Sequence, residues 1–334
     1  MTIKDLARET GYSVGTISRV LNNHPNVSDK AKKTILEAVE RSGFILNTSA
    51  KDLKQQYSDN ILVIVKGNSN ELFASLVEAV QALFMDTKYT LVTDFLDEED
   101  NEVLRARQLC NNKKPRGILF FGGNSKNFLE DFDKIEVPCV LVTNDATELH
   151  FSNLSSVSTD DAAAAQCAVE YLLDHGHKEI ALIGGYSASD TSRFRRLGWE
   201  RAHAGRGMKP EECGPHVGGR YSFRGGYDAM SQVLDRGIKV SAVFAMADVM
   251  AIGAISAISD HGLKVPEDIS VVGFDGLKIG EYYCPKLTTI EQNVEQLAKR
   301  GYEMLLECIE QEAPARHETV PFRLNRRHSV RIIY

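Results

Sequence analysis

In the run TGYSVGTISRVL, from Thr10 to Leu21, short hydroxyls and one cation fall on a side of the chain that carries no acid. Thr16, Ser18 and Arg19, with Asn22 just beyond, can all hydrogen-bond, and none of them repels phosphate. Set on a helix, such a face suits base edges in a DNA major groove. Arg19 has the forked donor geometry that matches guanine, and Thr16 offers a short hydroxyl that several bases accept. Thr2, Ser13 and Asn22 can donate to phosphate oxygens, contacts that fix docking register without reading sequence. The chemistry on offer is recognition of double-stranded DNA.

These side chains need helices to hold them. Ser13 is an N-cap by type, and Val14, Ile17 and Val20-Leu21 recur behind it at helical spacing. Thr2-Ile3-Lys4-Asp5 reads as a capping box opening an earlier short helix, with Leu6 and Ala7 inward. Gly11-Tyr12 then connects the two at the spacing of a helix-turn-helix. Ser28 caps a third helix expected to run to Ser42, with Ala31, Ile35, Leu36 and Val39 inward and Gly43 as its stop. Residues 1–45 therefore read as an all-α headpiece. Charge supports the division: residues 1–58 hold nine Lys/Arg and six Asp/Glu, net +3, and the remainder holds 30 and 40, net −10. A basic head on an acidic body is a localised electrostatic footprint. Residues 46–58 have no core pattern of their own. A helix over 47–54, capped by Asn47, is too short to stand alone in water.

From Ile61 the pattern changes. The runs ILVIV, YTLVTDF, GILFF, VPCVLV, VSTDD, EIALIGG, AVFAM and SVVGFD read as strands. They alternate with helices expected from about Glu71, Glu98, Asp160, Thr191, Phe223 and Asp248. That is a doubly wound α/β pattern with parallel sheets, and too many strands for one sheet, so two lobes. Ligands of such sheets sit at the carboxyl ends of strands. Asn70, Phe73, Asn144, Arg195, Tyr221, Asp248 and Asp275 follow strands and are the candidate ligand contacts. Two carboxylates, an arginine, two amides and two aromatics suit a sugar: rings cover C–H patches while forked groups take vicinal hydroxyls. Asp248 fits a helix cap as well. Phe73 fits a core position, and Arg193 and Arg196 flank Arg195.

The run IKDLARETGYSVGTISRVLNNHPNVSDKAKKTILEAVERSGFILNTSAKDL resembles the headpiece and hinge of the lactose/galactose repressor (LacI/GalR) family. The resemblance continues through DHGHKEIALIGG, RRLGWERA, ADVMAIGAISAISDHGLKVPEDISVVGFDG and PKLTTIEQN, and so covers essentially the whole chain. It implies a periplasmic-binding-protein-like body over 59–334 with three crossovers between lobes of about 59–158 plus 291–320 and 159–290 plus 321–334. It implies that Val14 and Gly15 face operator bases, and that a hinge helix forms on DNA with Ala50 and Leu53 in the minor groove, Leu53 as an apolar wedge. Among the cleft residues it picks Phe73, Arg195 and Asp275. Three departures stand out: Leu46 in place of a common proline, Asp52 near phosphates, and Ala247 where sugar-binding relatives often carry asparagine.

The implied activity is that of a ligand-responsive repressor, binding a near-palindromic operator as a homodimer and sensing a small molecule, a mono- or disaccharide before a sugar phosphate, a purine or nucleoside, or a phosphoprotein. A free-standing sugar receptor is the competing class, and it would need neither residues 1–58 nor their charge. Enzyme signatures are missing: Gly122-Gly123 and Gly184-Gly185 follow strands but complete no G-x-G-x-x-G or Walker motif, and there is no G-x-S-x-G elbow. No cofactor is expected. The six cysteines are scattered without C-x-x-C, which argues for free thiols over disulfides or a metal site. Apolar content of 43% with no run approaching ~18 residues gives no membrane span, and no signal segment opens the chain, so the expected place is the cytoplasm, at the bacterial nucleoid.

Overall fold

The computed structural model describes residues 3–21, 27–42, 58–67, 70–185, 189–209 and 212–333. They form two units, residues 1–58 and 59–334.

The first unit contains α1 (Ile3–Thr10), α2 (Val14–Leu21) and α3 (Asp29–Ser42). Ser13 caps α2 through its hydroxyl, which accepts from the Thr16 N–H at 3.1 Å. Gly11, at φ +70, makes the left-handed step between α1 and α2 that a residue with a Cβ resists. The core is small: Leu6, Ile17, Val20, Ala31, Ile35 and Ala38. Two expectations need correction. Leu36 is 49% exposed and Ala38 takes the inward place, because the stripe of α3 runs Ala31–Ile35–Ala38 and Leu36 lies about 100° around the helix from Ile35. Val14 is 41% exposed and stands outside the apolar cluster, so the buried stripe of α2 is Ile17 and Val20.

The second unit begins with β1 (Asn60–Lys66), α4 (Glu71–Phe84), β2 (Thr90–Leu96), α5 (Glu102–Lys113), β3 (Gly117–Phe121), α6 (Ser125–Asp131), β4 (Cys139–Val142) and β5 (Leu154–Thr159). It continues with α7 (Asp161–Asp174), β6 (Ile180–Gly184), α8 (Asp190–Ala204), β7 (His216–Gly218), α9 (Phe223–Asp235), β8 (Ala242–Ala245), α10 (Asp248–Asp260), β9 (Ser270–Asp275) and α11 (Ile279–Tyr282). The last elements are β10 (Thr288–Gln292), α12 (Val294–Gln311), β11 (His317–Val320) and β12 (Phe322–Asn325).

Strands β1, β3, β4, β6, β8 and β9 are near-continuous apolar runs because helices cover both faces of each sheet. One sheet has the order β11-β5-β4-β3-β1-β2, all parallel; the other has β12-β10-β9-β8-β6-β7, parallel except for β12 against β10. The chain passes between the lobes three times: from β5 into α7, from β10 into α12, and from β11 through Pro321 into β12. Helix α12 packs on the first lobe, with the Tyr302 and Phe84 rings edge to face at 4.8 Å.

Helix α5 starts at Glu102, four residues after the expected Glu98. A turn intervenes, in which the Asp97 N–H donates to Asp100 Oδ2 at 3.1 Å and Asp100 N–H returns to the Asp97 carbonyl. Asn101 is the cap, accepting from the N–H groups of Val103 and Leu104. All six cysteines are free thiols. Among the described residues no helix is long and apolar enough to cross a membrane.

Candidate effector cleft and nucleic-acid interface

The carboxyl ends of both parallel sheets open on one cleft of about 710 Å³, counting the space continuous with solvent. Asn70, Phe73 and Asn144 line it from the first lobe, Arg195 and Tyr221 from the second.

An aromatic ring stands on each side, seated on glycine. The Phe73 ring lies against Gly67 and Gly122; a Cβ on Gly122 would come within 2.9 Å of its Cζ. The Tyr221 ring lies on Gly185, where a Cβ would be 2.0 Å from Cε2. One glycine of each pair noted in the sequence, Gly122 and Gly185, thus makes room for a ring. The Tyr221 hydroxyl shares a 2.9 Å hydrogen bond with that of Ser192, and burial pushes the phenol up to about 12.

Arg195 is only 4% exposed. Its Nε donates to Asp161 Oδ1 at 2.8 Å, its Nη1 to the Met246 carbonyl, and its guanidinium lies 3.6 Å from the centre of the Phe274 ring. Burial works against its charge, but Asp161 and Asp275 hold its pKa above the ordinary value. Asp275 ends β9 at φ +117 and stands one layer behind the lining. Its Oδ1 accepts from Gln292 Nε2 at 2.9 Å and lies 3.7 Å from Arg195 Nη1. Its Oδ2 is buried without a well-formed hydrogen bond, and the Asn70 side chain helps to hold the carboxylate charged. Burial raises this carboxyl to about 6, with Arg195 opposing.

Asp248 is placed differently from expectation. It is the first residue of α10, not its cap, and it is fully buried away from the cleft. Its Oδ1 accepts from Thr289 Oγ1 at 2.6 Å and its Oδ2 from the Leu277 N–H at 2.7 Å. It ties α10 to the loop after β9 and to β10, and both oxygens are used in doing so. Ala247, the cap position, is fully buried too and offers the cleft nothing.

The sequence reading missed Lys66, Glu98, Asn124, Thr143, Thr191 and Gln292, all of which line the cleft. Five of them obey the strand-end rule: Lys66 and Gln292 end β1 and β10, and Glu98, Asn124 and Thr143 lie just past β2, β3 and β4. Thr191 carries no local signal. Lys66 Nζ donates to the buried Glu102 at 2.6 Å, so this cation is paired as Arg195 is. The lobes also touch directly. Asn144 Nδ2 donates to Thr191 Oγ1 at 3.1 Å, and the Ser125 N–H to Asp190 Oδ2 at 2.8 Å.

On α2, Ser13, Val14, Gly15 and Arg19 are exposed and Thr16 and Ser18 half-buried, while Ile17 and Val20 are buried. Thr2, Asn22, Asn47, Ala50 and Leu53 lie outside the described residues.

Comparison with known proteins agrees with both halves of this geometry. The model of bacterial regulatory proteins of the lacI family matches residues 2–47, and that of the periplasmic binding protein-like domain matches residues 169–330. The chain is 33% identical over 334 residues to the HTH-type transcriptional regulator MalR of Clostridium butyricum, covering 98% of this chain and 99% of that one. It is 31% identical to catabolite control protein A of Priestia megaterium over 93% of each. The structure of a lac repressor dimer bound to operator and the anti-inducer ONPF superposes with a TM-score of 0.80 at 25% identity, over 99% of both chains. With a helix-turn-helix head, a two-lobed binding body and relatives of this kind along its whole length, the chain belongs to the LacI family of bacterial transcriptional regulators.

Proposed function

We propose that this protein is a dimeric repressor without catalytic activity, reading a near-palindromic operator with two headpieces and sensing an uncharged sugar in the interlobe cleft. The observation that carries the ligand reading is the aromatic ring on each lobe of the cleft, with the buried Asp275 carboxylate behind them beside Arg195, Gln292 and Asn70. A carboxylate with acceptor capacity to spare takes a hydroxyl well, and Phe73 and Tyr221 can cover the apolar faces of a pyranose. Both cations that line the cleft, Lys66 and Arg195, already have carboxylate partners. A phosphate or carboxylate ligand would have to compete for them; a neutral polyol does not.

Effector binding shifts the lobe arrangement only as far as it prefers one arrangement over the other. The three crossings carry that change, and residues 46–58 link it to the headpieces of a dimer. On DNA, Thr16 and Arg19 carry the hydrogen bonds to bases, Val14 offers apolar contact, and Ser13 holds phosphate. Arg19→Ala is expected to weaken operator binding by about 1–3 kcal/mol and to relax base preference at one position per half-site. Titration against operator variants checks this, and uniform weakening on every variant would make Arg19 a phosphate contact instead.

The ligand reading is tested by thermal unfolding against sugars, sugar phosphates and nucleosides. A ligand at 100 times its Kd adds ~2.7 kcal/mol. A neutral sugar that stabilises the protein, but not Phe73→Ala, supports it. Stabilisation by nucleosides or by phosphorylated sugars alone overturns it.

A further inference from the structure

Beyond the residues that line the cleft, an arginine of the second lobe reaches across it to two acids of the first. Arg220, in the turn before α9, donates through Nε to Glu98 Oε1 at 2.8 Å and through Nη2 to Asp97 Oδ1. The next N–H, that of Tyr221, donates to Glu98 Oε2 at 3.3 Å. Both oxygens of Glu98 are therefore taken by the opposite lobe, and its side chain is 14% exposed while that of Arg220 is 54% exposed. The cluster lies where the cleft meets solvent.

Isolated exposed ion pairs contribute little, because two long side chains must be ordered in water. Here both ends are already held. Asp97 is fixed in the Asp97–Asp100 turn, and its carboxyl is kept below its usual range first by the Glu99 N–H and then by Arg220. The Arg220 carbonyl accepts from the Ser222 N–H at 2.7 Å, and Ser222 caps α9. One guanidinium shared by two carboxylates, with a backbone bond beside it, forms a network in which each contact holds the others in place.

We propose that Arg220, Asp97 and Glu98 form a clasp that holds the two lobes closed without effector and keeps Tyr221 in the cleft wall. Its consequence for sensing rests on the cleft being the effector site. There the apparent Kd equals the intrinsic Kd divided by the fraction of molecules already closed, so Arg220 and Asp97, which do not line the cleft, set effector affinity through the closed fraction alone. Salt screens such contacts, which makes the closed fraction depend on ionic strength.

A separate contact reports whether the lobes are closed. The Ser125 N–H donates across the cleft to Asp190 Oδ2, and opening breaks that bond. Hydrogen exchange on the full chain, with no ligand added, reads it. In Arg220→Gln the Ser125 and Tyr221 amides are expected to exchange about 3–10-fold faster than in the wild type. Adding about 1 M NaCl, where the Debye length is ~3 Å, accelerates both amides in the wild type and adds nothing in the variant. Arg220→Lys, which keeps the charge but not the fork, falls between the two. Unchanged Ser125 exchange in Arg220→Gln overturns the clasp, as does acceleration confined to Tyr221, since the contact would then be local. Failure of the sugar reading appears separately, in the ligand panel, and leaves these exchange rates where they are.

Discussion

Arg195→Ala is expected to destabilise the unit of residues 59–334 by about 3–5 kcal/mol, the loss typical of removing one partner of a buried ion pair. The guanidinium stands between Asp161 and Asp275, under the Met246 carbonyl and against the Phe274 ring, and its loss leaves two buried carboxylates without their cation. Denaturant unfolding measures the loss. Asp161→Asn in the same chain should return part of it, because the neutral amide no longer needs a cation. The two changes are then strongly non-additive, as expected for groups in contact. A loss below about 1 kcal/mol for Arg195→Ala alone would mean that water replaces the guanidinium and that the site is open to solvent. Loss of effector response in this variant says little about contact with effector, since the fold that builds the cleft is weakened as well.

Asp275→Asn is expected to act in the opposite direction on stability and to abolish effector binding. The carboxyl titrates at about 6 in the folded chain, against an ordinary value of 3.8. Between those values the folded chain binds more protons than the unfolded one, so stability falls as pH rises through that window and is level above it. At pH 7–8 the wild type therefore holds a buried charge at a cost of about 1–3 kcal/mol, which an uncharged Asn avoids. The backbone adds no new objection, since Asn tolerates positive φ nearly as well as Asp does. Unfolding measured from pH 4 to pH 8 should show the variant ahead at the alkaline end and the difference shrinking toward the acid end. A variant less stable than wild type at pH 8 would show that Arg195 needs this carboxylate and that its buried charge carries no net cost. Stability exchanged for ligand binding at a single buried side chain is a common trade at functional sites.

Much of this was legible from residue order alone, for a physical reason. Runs such as ILVIV and GILFF are buried on both faces, so their apolar continuity needs no context to be read. The strands that were not readable, β10 to β12, are the polar ones, TTIEQ, HETV and FRLN, whose place depends on the sheets they join. Ser13 is readable as a cap because capping is local. The start of α5 is not, because Glu98 is a sound helix former that is drawn instead to Arg220, 122 residues away. Asp248 follows a strand and precedes a helix, and nothing near it in sequence reveals that Thr289 and the Leu277 N–H occupy both its oxygens. Leu36 and Ala38 exchange places because size misleads where a headpiece core is only six residues deep. Strand ends gave Asn70, Asn144 and Tyr221; the contacts made only when two lobes meet were out of reach.

The three crossings also govern how the protein must be made. The first lobe lacks its outermost parallel strand and one covering helix until residues 294–320 exist, because β11 pairs with β5 and α12 covers Phe84. The second lobe in turn waits for Ser329, which bonds to Val271 and Thr288. During translation at about 5–20 residues per second, the edge of β5 stays open for on the order of 10–30 s after it leaves the ribosome. An open strand edge is a template for pairing with other chains. Neither lobe can be completed as an independent nascent domain, and a chain cut short before α12 is left with two unfinished sheets.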